Sequence, residues 1–125
     1  MSRINKKMVF VVFFVLSLVL PLAAFASYYT FVYDFTHMLQ SREYSMNGSN
    51  IEIYFNSSQY VLDKNMTIKL YRSVFGPDDY IGSKSIPTSG GTVRFPNVGK
   101  GTYYFEIWKA QDGREVIGSG YIKNY

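Results

Sequence analysis

The side chains in this sequence that could do covalent or metal chemistry are few, and their spacing argues against each use. His37 is the only histidine. A Ser-His-Asp relay or a metal site needs that ring held by oriented neighbours. Asp34, three residues away, falls on the opposite face of a strand, so a strand-end histidine in solvent is the expectation. Asp78 and Asp79, beside Gly76-Pro77, offer carboxylate oxygens, but Ca²⁺ wants six or more ligands and no Asp-x-Asp-x-Asp-Gly loop is present. Turn chemistry accounts for both. Glu52 and Glu106 are acids that could flank a glycosidic bond, yet both read as outward on strands of a domain too small for a deep cleft. Gly90-Gly91 and Gly99-x-Gly101 lack the lysine and the helix of a phosphate loop. The chain has no cysteine, which excludes a thiol nucleophile and thiolate metal ligands. The expectation is a protein with no catalytic residues, no metal and no cofactor, and hence no enzyme.

The aromatic residues offer a different chemistry. Beyond residue 26 there are 12 Tyr, 6 Phe and 1 Trp. Tyr71, Tyr104, Trp108 and Tyr121 alternate outward from their strands, with Lys69, Glu106 and Lys123 between them. Such rings give large contact area at little entropic cost and dominate binding hot spots; they also stack on sugars. Cross-strand aromatic pairs equally stabilise an exposed sheet with no ligand, by ~0.2–1 kcal/mol each. Tyr71, Tyr104, Glu106, Trp108 and Tyr121 are therefore the candidate binding surface, with structural pairing as the alternative.

The start of the chain reads as an address. Arg3, Lys6 and Lys7 precede an apolar run from Met8 to Leu20; Pro21 then breaks it before Ala24-Phe25-Ala26. That is a secretory signal peptide over residues 1–26, cleaved after Ala26. An uncleaved anchor is the alternative, since Met8 to Ala26 approaches the ~20 residues that cross a bilayer. Cleavage removes three of 13 Lys and Arg, leaving ten against nine Asp and Glu, a net charge of +1. A nucleic-acid partner then has no electrostatic footprint, and no membrane segment remains. A secreted domain without disulfides leans away from eukaryotic extracellular modules and toward a Gram-positive source.

The elements that must position these residues are strands. Phe31, Tyr33 and Phe35 share a face in a strand over about 28–39, where His37 to Glu43 could instead form a helical turn. Ile51, Ile53 and Phe55 share another, as do Ile68 and Leu70 in 66–74, Val93 and Phe95 in 92–95, and Tyr103, Phe105 and Ile107 in 101–109. A weaker strand covers 80–86. Asp112-Gly113 is the strongest hairpin signal in the chain and predicts that 101–109 folds back on 115–123. In that last strand Gly118 and Gly120 remove side chains where a large neighbour needs room. About seven short strands with turns between them predict an all-β domain over 27–125, an antiparallel sandwich or a small barrel.

The run Val93-Arg-Phe95-Pro-Asn-Val98-Gly-Lys-Gly101-Thr-Tyr103-Tyr-Phe105-Glu-Ile107 resembles the region joining the fifth and sixth strands of immunoglobulin-like and fibronectin-III-like sandwiches. There a Gly-x-Tyr opening sets a corner in which the tyrosine hydroxyl bonds back to the preceding loop. Gly101 and Tyr103 match those positions. The chain departs from true immunoglobulin domains in lacking the cysteine pair and the tryptophan of the third strand. The resemblance implies a single immunoglobulin-like sandwich whose third, sixth and seventh strands are neighbours, and it implies no activity. Such modules bind, display or space.

These readings lead to a secreted, non-catalytic β-sandwich that binds an extracellular protein or a cell-wall glycan through its aromatic face or loops. Self-assembly into an extracellular matrix and a small secreted inhibitor or antimicrobial effector are the alternatives. The oligomeric state is not legible.

Overall fold

Alternation with a period of two places Ile51, Ile53 and Phe55 on one side of a strand, and these residues are buried. The same rule carries through the chain and yields nine strands: β1 Tyr28–Phe35, β2 Met38–Gln40, β3 Tyr44–Met46, β4 Ile51–Gln59, β5 Asn65–Ser73, β6 Asp79–Pro87, β7 Gly90–Phe95, β8 Gly101–Trp108 and β9 Val116–Asn124. The computed structural model describes residues 26–125, so the signal peptide expected over 1–26 lies outside the described residues in all but its last position. The described residues contain no helix, and none of them forms a helix long and apolar enough to cross a membrane.

The strands form two antiparallel sheets. One has the order β1-β9-β4-β7; the other runs β2-β8-β5-β6, with β3 also pairing β8. Nine strands replace the expected seven, because the chain after β1 changes sheet. Thr36 and His37 carry it across, and β2 and β3 then pair in turn with the two ends of β8. Neither has more than three residues, too few for alternation to show.

The Asp112-Gly113 turn does not close a hairpin. β8 pairs with β5, β2 and β3, whereas β9 lies between β1 and β4 in the other sheet. The residues between Trp108 and Val116 form a crossover between sheets. Gly113 adopts φ +74° there, a left-handed conformation that glycine tolerates, while the Asp112 carboxylate receives the backbone N–H of Arg114 and the Lys109 ammonium. The expected proximity of the third, sixth and seventh strands therefore holds for β5 and β8 only.

Inward rows from both sheets interlock between the layers. Phe31, Phe55 and Phe105, from three different strands, meet edge to face with centroids 5.0–5.7 Å apart, the geometry that ring quadrupoles favour. Glycines make room for this cluster. A Cβ on Gly120 would lie 1.8 Å from the Tyr54 carbonyl oxygen and 2.9 Å from the Phe31 ring, and one on Gly118 would meet the Tyr33 hydroxyl.

Candidate functional site

The outer face of the second sheet is built from alternate residues of β5 and β8. Register sets Tyr71 opposite Tyr104, Lys69 opposite Glu106 and Thr67 opposite Trp108. A bulge in β6, where the pairing steps from Leu70–Gly82 to Tyr71–Tyr80, places Tyr80 beside Tyr71. The result is a row of three rings across three strands. Tyr71 and Tyr104 are stacked at 5.2 Å and 9°, and Tyr80 tilts against Tyr71 at 5.5 Å.

The polar ends of two rings on this face, Tyr104 and Trp108, have partners within it. Tyr104 Oη donates to Asp78 Oδ2 at 2.8 Å and Trp108 Nε1 donates to Glu106 Oε1 at 3.0 Å. The Lys69 ammonium sits 5.0 Å over the Trp108 ring, and His37 meets that ring edge-on at 5.5 Å. His37 is itself fixed, its Nδ1–H donating to the Lys109 carbonyl at 2.7 Å. It is half-buried against Trp108, not the solvated strand-end histidine that spacing suggests. Burial and then the Asp78 carboxylate push the Tyr104 phenol up to about 12; burial and then Glu106 push Tyr71 up.

Of the five candidate surface residues, Tyr71, Tyr104, Glu106 and Trp108 share this face, whereas Tyr121 does not. Tyr121 is on β9, in the other sheet, where it stacks between Tyr28 (5.5 Å) and Tyr54 (5.2 Å). Beside it, Glu52 is 4% exposed, on an outward position yet covered by its neighbours. Arg94 Nε donates to Glu52 Oε1 and Tyr121 Oη to Oε2, each at 2.9 Å, with Lys123 Nζ 3.6 Å away. Burial pushes the Glu52 carboxyl up, but those hydrogen bonds and the Lys123 and Arg94 charges outweigh it and hold it below the usual carboxylate range. A shallow depression of about 870 Å³ runs from this cluster past Arg94 to Lys84. Glu52 and Glu106 thus lie on opposite outer faces and cannot flank one glycosidic bond.

Gly101 and Tyr103 sit where the loop 96–100 enters β8. Tyr103 Oη lies 2.7 Å from the carbonyl oxygens of both Val98 and Gly99 and shares its proton between them. Gly99, at φ +87°, and Gly101 leave the space that the Arg72 guanidinium fills against that hydroxyl.

Three features of the two faces and their edges are not fixed by strand alternation alone. Tyr54 and Tyr28 extend the Tyr121 stack; their outward parity is visible in sequence, but their strand pairing is not. Asp78, a turn residue by type, is the partner of Tyr104. Phe75, in the turn between β5 and β6, is 108% exposed; an aromatic immediately before Gly76-Pro77 was the only signal. Asp78 and Asp79 belong to no group of three or more potential metal ligands, and no such group occurs among the described residues.

No family model matches the chain, and no curated protein matches it. Solved structures do. PliG of Aeromonas hydrophila, described as a periplasmic lysozyme inhibitor of g-type lysozyme, is similar with a TM-score of 0.53 at 10% identity, over 80% of this chain and 88% of that one. The SPBc2 prophage-derived protein YomS is similar with a TM-score of 0.51 at 13% identity, over 81% of this chain and 96% of that one. At such identities the likeness is one of fold.

Proposed function

We propose that this protein is a secreted, non-catalytic β-sandwich that binds a macromolecular partner through the outer face of β5 and β8, and that the partner is a protein. The observation that carries this reading is the stacked Tyr71–Tyr104 pair with Tyr80 and Trp108 on the same face. A sugar platform needs open ring faces. Here the faces between Tyr71 and Tyr104 are turned on each other, and Lys69 lies over Trp108. What remains for a partner is a rigid, amphipathic surface that loses little side-chain freedom on contact, which suits a protein. The likeness to immunoglobulin-like sandwiches is retained as a likeness of local structure at Gly101 and Tyr103. The apolar run and Ala-Phe-Ala site before Ser27 support export.

The test immobilises the protein and exposes it to two fractions of the producing cells, secreted and envelope proteins in one and insoluble cell wall in the other. Tyr104→Ala with Trp108→Ala is expected to lower protein retention about tenfold or more, while Tyr28→Ala on the opposite sheet leaves it unchanged. Retention equal to wild type in the double variant removes this face, and retention of cell wall alone reassigns the partner as a glycan.

A further inference from the structure

β1 is the outermost strand of its sheet, paired with β9 along one side and with no strand along the other among the described residues. One bond at its entry tells which of its backbone groups are free. Asn124 N–H donates to the Ser27 carbonyl at 3.1 Å, and the register runs without a bulge from Tyr28↔Lys123 to Phe35↔Val116. In an antiparallel ladder the groups of successive residues point to alternate sides. Odd-numbered residues of β1 therefore bond β9, and the N–H and C=O of Tyr28, Thr30, Val32 and Asp34 point away from the sheet. The side chains of the same residues are exposed on the outer face, Val32 at 81%.

Such an edge is a template for another strand, and sheets guard it with bulges, proline, lysine or brevity. The other edges here carry those guards. β2 has three residues. The ladder of β6 is irregular beside Tyr80, and that strand carries Lys84 and ends on Pro87. β7 carries Arg94, and Lys84 reaches over its Phe95 ring at 5.9 Å. β1 has no guard: Tyr-Tyr-Thr-Phe-Val-Tyr-Asp-Phe is regular, without proline or a cation, and Asp34 is its one charge. Beside it lies a groove of about 310 Å³, lined by Phe31, Leu39 and Phe105.

The strand is complementary to itself. Two copies set antiparallel about an axis at Phe31 place Thr30 opposite Val32 and Tyr28 opposite Asp34, each pair occurring twice. Every free backbone group named above then has a partner, and inner and outer faces stay in register. Thr30 against Val32 is a pair of β-branched side chains, which suits a pleated surface. The two Asp34 carboxylates fall six residues apart along the seam, roughly 20 Å, beyond the ~10 Å screening length. A second copy supplies the whole match with no further requirement.

We infer that β1 is a self-association edge: two copies of this chain pair their β1 strands antiparallel about a two-fold axis normal to the sheet. The two first sheets become one continuous sheet, and the joined strands close over the groove at Phe31. The axis turns both β5–β8 faces to the same side of the dimer, but the association does not depend on them. Edge pairing covers less surface than a standard interface, so the dimer forms as concentration rises.

Sedimentation of the mature protein from low to high micromolar concentration is expected to show the mass rise from one copy to two and stop there. The chain has no cysteine, so single introduced thiols report the seam through a short bismaleimide. Tyr28→Cys mixed with Asp34→Cys is expected to crosslink, and neither alone, because like positions lie six residues apart. Val32→Pro removes a free N–H from the seam, and Val32→Lys brings like charges to it. Each is expected to weaken the dimer about tenfold or more. Val32→Lys melts with wild type at monomer concentrations, so its effect is not unfolding. Tyr104→Ala with Trp108→Ala dimerises as wild type does; loss of the dimer in that variant overturns the edge and assigns association to the β5–β8 face. A monomer across the whole range overturns the inference, as does a dimer that Val32→Lys leaves intact. Crosslinking of Tyr28→Cys with itself overturns the antiparallel seam, and masses climbing past two copies overturn the closed pair.

Discussion

Arg72 donates through both Nε and Nη2 to the single hydroxyl oxygen of Tyr103, at 3.1 and 2.6 Å, and the same Nη2 reaches the Val98 carbonyl at 2.6 Å. The hydroxyl in turn gives its proton to the carbonyls of the loop before β8. One side chain of β5 thereby fastens its neighbouring strand and that strand's entry loop. Tyr103→Phe keeps the buried ring and takes the oxygen away. The loss is a charge-assisted hydrogen bond together with a donor to the loop, about 2–3 kcal/mol. It is read as a lower urea midpoint with an unchanged slope. A midpoint equal to wild type would show that Arg72 and the two carbonyls are served by solvent instead.

The parts of the fold legible in the sequence are those decided by local periodicity. Ile51, Ile53 and Phe55, like Tyr103, Phe105 and Ile107, are buried because side chains alternate, whatever the strand pairs with. The pairing itself is a long-range choice. Asp112-Gly113 announces a reversal but is silent on which sheet receives the returning chain, so Tyr121 is separated from Tyr104 by the thickness of the sandwich. Phe75 lies in a turn, where no alternation exists to say whether an apolar ring is inside or outside. Glu52 shows the opposite limit: an outward position by parity, closed over by Arg94, Tyr121 and Lys123, which reach it only after β4 has been flanked by β7 and β9.

Gly120 tests the central pairing of the first sheet. Its missing side chain lets the Tyr54 carbonyl approach from β4 while the Phe31 ring covers the gap from β1. In Gly120→Ala the Cβ cannot be accommodated by side-chain motion, because the nearest atom is backbone. The strands must part, at a cost of at least about 3 kcal/mol. Gly113→Ala, where nothing lies within 4 Å but φ is +74°, costs only the backbone strain, about 1 kcal/mol. Thermal melting of the two variants should rank them in that order; equal melting temperatures would mean that the β4–β9 pairing is looser than the register describes.

Alkaline pH should weaken the fold through its tyrosines. Tyr33, Tyr44, Tyr71 and Tyr121 all have phenols raised above 10.0, and Tyr104 is raised to about 12. Below pH 10 the folded and unfolded chains are both protonated, and this contribution is complete. As pH rises from 10 toward 12 the unfolded chain releases its protons while folded Tyr104 keeps its own, so stability falls across that window. Urea midpoints measured through the window should decline, and Tyr104→Phe should flatten the decline. Asp78→Asn should bring the Tyr104 phenol to titrate earlier in an ultraviolet absorbance titration. A Tyr104→Phe profile that superimposes on wild type would assign the alkaline loss to the other tyrosines.

The crossover that replaces the expected hairpin turns on Lys109. Its side chain is 2% exposed and continues the inward row of Tyr103, Phe105 and Ile107, so its ammonium has left water at the end of the core. It is held by Asp112 Oδ1 at 2.6 Å and by the Ala110 carbonyl at 3.2 Å, and that pairing, with the Arg114 N–H, keeps the Asp112 carboxyl low. A buried ion pair has a large desolvation cost, so replacing the cation by an apolar group of similar length is tolerated, whereas removing only the counter-ion strands a buried charge. Lys109→Met should therefore melt within about 4–8 °C of wild type. Asp112→Ala should melt lower than Lys109→Met, and adding Lys109→Met to it should recover part of the loss. That recovery is the diagnostic: if the double variant melts below Asp112→Ala, the Lys109 stem and not its charge is what the crossover needs.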